Sequence, residues 1–123
     1  MCSCSLDNFA DVPIDDLFSI AQPMAKKVCD LDPIPGSLLT TNLDLLMFVI
    51  IRIVNLSLKS GSVSAKLKEA VLKPLLKKPN LDQTEFKNNR PVSNLSFLSK
   101  VIEKAVALQL TSYLEDNHHY EPL

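Results

Sequence analysis

Only two stretches of this chain read as β-strand, Ala70–Leu76 (AVLKPLL) and 90–95 (RPVSNL), and that limits the fold more than any other feature. Any sheet therefore has at most two strands, and a lone two-stranded sheet is marginal unless helices cover it. The remaining apolar positions recur at helical spacing, so the core has to come mainly from helices. The class expected is α+β, mostly helical, with helices packed around a small two-stranded antiparallel sheet. Pro74 has no amide hydrogen to give a ladder, so the first strand is expected at an edge or with a bulge. The polar loop 79–89 between the two is longer than that of a tight hairpin.

The helices follow from periodicity and punctuation. Pro13 followed by Ile14, Asp15 and Asp16 is a helix start, with two acids placed toward the positive end of the helix dipole. Leu17, Ile20 and Ala21, continued by Met24 and Val28, form its apolar face, and Pro23 limits or kinks it. The turn-rich stretch DLDPIPG, 30–36, reads as a fixed-shape connector, with Asp30 and Asp32 as turn and capping groups rather than metal ligands. A further helical turn is expected at 37–39. Asn42 is placed to cap a long helix over 43–59, and Gly61 to close it. Leu46, Ile50, Ile53, Val54 and Leu58 make one face of that helix. Met47, Phe48, Val49 and Ile51 make it apolar nearly all round, so a face of 43–58 asks for a partner. A short turn at 64–68 leads into the first strand. Ser96 is placed to cap the last helix, Phe97–Asp116, whose core face is Leu98, Val101, Ile102, Ala105, Leu108 and Ser112, with Leu110, Tyr113 and Leu114 beside it.

With 123 residues and 46% apolar content the chain is long enough for one domain, or a piece of one. The expected organisation is a flexible N-terminus at 1–12, a helical segment at 13–62 and a second segment at 63–123. Charge is unevenly spread: residues 1–58 carry three cations against seven acids, 59–104 ten against four, and 105–123 none against three. The segment nets are −4, +6 and −3, so the middle one points to a local anionic partner or to a solvated lysine-rich surface. Cys2, Cys4 and Cys29 are odd in number and suit a reducing compartment better than a disulfide framework. Gathering them with His118 and His119 into a zinc site would need both chain ends folded together, at spacings that match no common module. No secretion signal and no bilayer-spanning run is expected: the most apolar stretch, 45–51, is interrupted by Arg52 well short of the roughly 18 apolar residues required. An intracellular chain follows, with the nucleus among the open options.

The segments AVLKPLLKKPNLD, NNRPVSNLSFLSKVIEKAVALQLTSYLEDN and YEPL, in that order, resemble the start of the reverse transcriptase domain of non-LTR, LINE-type retrotransposons. CDLDPIPGSLL and IVNLSLKSGSVSAKLKEA resemble the part that precedes it, so the likeness runs over about residues 15–123. It implies an N-terminal extension and the fingers of a right-hand polymerase, with 63–123 as the partial fingers. The resemblance places Lys77 or Lys78, and Arg90, near the incoming triphosphate or the template backbone. The residue types agree, since Arg offers a planar fork for phosphate and Lys a point charge. Lys73, Lys87 and Lys100 are further candidates for backbone contacts. Two positions depart from the family pattern, Asn89 where an aromatic residue is usual and Ser64 where proline often stands.

Polymerases of that family hold two Mg²⁺ ions on palm aspartates that have no counterpart in these residues, and two-metal transfer needs those carboxylates. The expectation is a catalytically incomplete fragment that does not polymerise and binds no cofactor itself. Its partners would be an RNA template or DNA, and the missing palm domain or another protein on helix 43–58. The alternatives are a protein-interaction module or a non-functional retroelement remnant. No glycine-rich phosphate loop and no nucleophile elbow can be drawn, because Gly36 and Gly61 lie far apart and the serines lack an arranged base. Tyr113 and Phe97 fit the core better than a base-stacking role.

Overall fold

In the computed structural model, which describes residues 5–27 and 30–120, four helices build the core and a β-ribbon projects from it. Helix α1 (Ile14–Met24) begins after Pro13 and carries Asp15 and Asp16 in its first turn. It contains Pro23 and ends one residue beyond it, with Ala25 N–H still donating to Ala21 O at 2.9 Å. Val28, expected to continue its face, lies outside the described residues, as do Cys2, Cys4 and Cys29 and with them the zinc question. A short helix α2 (Gly36–Thr41) runs almost directly into α3 (Leu43–Ser60), and α4 (Phe97–Asp116) closes the helical set. Gly61 ends α3 in the left-handed region, φ 65°, where its amide donates to Ser57 O at 3.0 Å.

Helix α1 lies against both α3 and α4. Leu17 and Ala21 of α1, Leu43, Met47, Ile50, Val54 and Leu58 of α3, and Phe97, Val101, Ile102 and Ala105 of α4 form the buried cluster, joined by Val12, Ala25 and Leu39. Phe97 is therefore a core side chain. On α3 the buried row is shifted from the expected one: Leu43 and Met47 are inside, while Leu46 and Ile53 are half-buried. Because α3 is apolar on opposite sides, periodicity alone could not choose which side faces α1 and α4. Leu108 was also expected inside and is 47% exposed, since the closely packed part of α4 is its first half.

Two expected caps act differently. Asn42 does not cap α3; its amide Nδ2 donates back to Leu38 O at 2.9 Å and closes α2 instead. Ser96 makes no side-chain cap to α4, because its hydroxyl is engaged with Ser99 Oγ at 2.7 Å, and Ser99 in turn donates to Leu67 O. The N-terminus of α4 is satisfied from the connector: Phe97 N–H donates to Asp32 Oδ1 at 2.8 Å across 65 residues of sequence. Asp32 is thus the capping group. Replacing it with Ala should lower stability by about 1 kcal/mol, the usual loss for an N-cap. A urea melt that shifts its midpoint at unchanged slope will show it.

The stretch read as a flexible end is tied down at two residues. Ala10 N–H donates to Gln109 Oε1 at 2.9 Å and Gln109 Nε2 donates to Ala10 O at 2.8 Å. Val12 N–H donates to Asn55 Oδ1 at 2.8 Å, and Asn55 Nδ2 returns a longer bond of 3.4 Å to Val12 O. Each carboxamide stands in for a neighbouring strand.

After a 3₁₀ turn at Ala65–Lys68, strand β1 (Ala70–Leu76) pairs antiparallel with β2 (Asn89–Leu95) in one unbroken register, Ala70 opposite Leu95 through Leu76 opposite Asn89. Pro74 sits directly opposite Pro91. Beyond the strand end, Lys77 N–H donates to Asn88 O at 2.8 Å, which makes 77/88 a hydrogen-bonded pair. Alternation then puts the proline pair at a non-hydrogen-bonded site, where amides point away from the partner strand. The missing N–H groups remove no bond inside the ribbon, and no bulge is needed. No residue of either strand is buried, so the helices pack on one another and the sheet stands outside their core, rather than being wrapped by them.

Candidate nucleic-acid interface

Directly opposed residues of an antiparallel pair point to the same face. Leu75 faces Arg90 and Lys73 faces Val92 in the register, and Lys77 faces Asn88 through its amide bond, so Lys73, Lys77 and Arg90 project from one side of the ribbon. Arg90 lies on a diagonal from each lysine, at roughly 7–8 Å. Lys78 follows at a bend beyond the paired register and is not brought into this row. Among the six cations singled out by sequence, three are thus gathered and three are not. Lys87, in the 3₁₀ turn Phe86–Asn88, pairs with Glu85 at 3.0 Å, and Lys100, on α4, donates to Lys27 O at 2.9 Å.

The three gathered cations differ in their surroundings. Lys73 Nζ lies 3.7 Å from Asp30 Oδ2, with both side chains more than half exposed, so the pair is a loose surface contact worth little energy. Lys77 and Arg90 are exposed. Leu75, 46% exposed, lies between them on the same face. The ribbon face is therefore cationic with an apolar centre, a combination that suits a phosphate chain carrying flat bases.

The loop joining the strands is held by its own side chains. Asp82 Oδ1 accepts from Thr84 N–H at 2.9 Å and from Thr84 Oγ1 at 2.8 Å, and these two bonds hold the Asp82 carboxyl below its ordinary 3.8. Asn88 Nδ2 donates to Asp82 O at 3.0 Å, and Asn89 Nδ2 donates to both Gln83 O and Glu85 O, at 3.0 and 3.1 Å. Asn89 thus fastens the loop to the start of β2, directly before Arg90. Sequence reasoning missed Phe86, which is 95% exposed two residues before Asn88. The available signal was an aromatic ring in an otherwise polar loop, flanked by Lys87.

Among the described residues, no three His, Cys, Asp or Glu side chains come close enough to hold a metal ion, and no helix is long and apolar enough to cross a membrane. Tyr113 stacks in a tilted arrangement with His119, centroids 5.8 Å apart, at the end of α4 and away from the ribbon. Comparison with protein-family models, with curated proteins and with solved structures gave no match to this chain.

Proposed function

We propose that this chain is the fingers part, with its preceding helices, of a LINE-type reverse transcriptase, and that its ribbon holds the backbone of a single-stranded RNA template. One observation carries the binding reading: Lys73, Lys77 and Arg90 share one face of an exposed ribbon, inside the sequence segment of net charge +6. Arg90 supplies the fork that grips phosphate oxygens and the lysines supply point charges. Phe86 offers a ring on which one base stacks, which favours single strands over duplex. The contacts are to backbone and ring faces, so binding is indifferent to sequence.

Fluorescence anisotropy with a labelled single-stranded RNA tests this directly. Neutralising three phosphates gives a slope of log K against log salt of about −2, from roughly 0.7 per contact on single strands. Phe86→Ala should weaken binding at least about fivefold, the low end of one lost base stack, while leaving that slope unchanged. A chain that binds no RNA at low salt, or binds with no salt dependence, would overturn the proposal.

A further inference from the structure

Helix α3 has a second apolar face that no element of the described structure covers. Leu45 is 73% exposed, Val49 57% and Leu56 67%, on the side opposite the buried row, and Phe48, 65% exposed, flanks them. Two exposed charged residues belong to this side of the helix, Arg52 within the face and Asp44 at its edge. Each is four residues from Phe48, one before it and one after it, so Asp44, Phe48 and Arg52 form a single i, i+4, i+8 ridge. The two charges are about 12 Å apart along the helix, too far to pair with each other.

That ridge is self-complementary. When two α3 helices meet antiparallel about a two-fold axis at Phe48, the rings face each other and each Asp44 comes level with Arg52 of the other copy. The commonest helix crossing lays such i±4 ridges alongside one another. A two-fold interface must use the same patch on both copies, and an acid and a base equidistant from a central aromatic satisfy that condition without like charges meeting. Leu45 and Val49 extend the apolar contact beside the ridge. An unrelated partner would not require the two charges to be symmetric about the ring.

We infer that this face of α3 binds a second copy of the chain, forming a two-fold dimer centred on Phe48 with two Asp44–Arg52 ion pairs. A contact confined to one helix face is at the small end of specific interfaces, so association is weak and concentration-dependent. The ribbon face is separate, and RNA binding and dimerisation can fail independently.

Sedimentation equilibrium of the full chain, with a thiol reductant so that no cysteine links two copies, provides the test. The expected result is reversible dimerisation, lost in Phe48→Glu with the circular dichroism spectrum unchanged. D44R puts two cations on the ridge and R52D two anions, so each alone should weaken self-association at least about tenfold. An equimolar mixture of D44R and R52D should restore the dimer as a mixed species, which a general loss of fold or a diffuse hydrophobic contact would not do. A monomer at every concentration up to about 0.5 mM, where a contact of about 4–5 kcal/mol would already show, overturns the inference. So does a dimer that persists in Phe48→Glu, or a mixture of the two charge variants that stays monomeric.

Discussion

Reversing both Lys77 and Arg90 to Glu should reduce affinity for single-stranded RNA by at least about 100-fold at low salt, and flatten the salt slope to about −0.7 or less. Two phosphate contacts are lost and two repulsions replace them, which is why the expected effect exceeds that of neutral replacements. Both residues are exposed, so stability should change by no more than about 0.5 kcal/mol. Lys100→Glu is the control. Its ammonium is held against Lys27 O on the helical body, outside the row of three cations, and its reversal should change affinity only a few-fold through the general field. Anisotropy titrations of the three proteins at two salt concentrations separate a defined ribbon face from a diffuse basic surface. Equal losses in the double variant and in Lys100→Glu would point to the diffuse surface.

The largest effect on stability is expected at Leu17, which is wholly buried where α1 meets α3 and α4. Leu17→Ala removes buried apolar surface and leaves a cavity between helices that can close only partly, a loss of about 2–5 kcal/mol. A domain of this size has roughly 5–15 kcal/mol in total, so a melt lowered by about 10–20 °C is expected, with a substantial unfolded fraction at 37 °C at the upper end. Leu72→Ala provides the contrast. It is the same chemical change at a ribbon position that is 67% exposed, and should stay within about 0.5 kcal/mol of the parent. Comparable losses at both positions would mean that the ribbon is part of the cooperative core, contrary to its burial.

The bounds of α4, the closure of α3 at Gly61 and the pairing of the two strands were legible in the sequence because each is written locally. A serine before an apolar run, a glycine after one, and two short apolar stretches around a polar loop are signals carried by neighbours. What was not legible depends on residues far apart. Ser96 looks like a cap until Ser99 is seen to engage its hydroxyl and Asp32 to take the role from 65 residues away. Asn42 has two helix ends within reach, and its amide chose the earlier one. The tethering of Ala10 by Gln109 joins positions 99 residues apart, and no periodicity encodes it.

The candidate site was legible to the same degree. The sequence named Arg90 and, as alternatives, Lys77 or Lys78, and the strand register puts Lys77 and Arg90 on one face with Lys73. Lys78 is adjacent to Lys77 and indistinguishable from it in composition; what separates them is the bond from Lys77 N–H to Asn88 O, which extends the pairing one residue past β1 and no further. Phe86 belongs to no helical or strand periodicity. Its exposure is a property of the ribbon's reach beyond the core, which a reading of apolar periodicity has no way to register.

The opposed prolines at 74 and 91 have a consequence for how these molecules behave when crowded. An incoming strand from another chain would need an outward amide at the middle of either open margin, and at that point each margin has a ring instead. Continuous addition is interrupted from both sides. The ribbon can therefore present an open backbone and an exposed leucine to solvent while resisting growth into fibres.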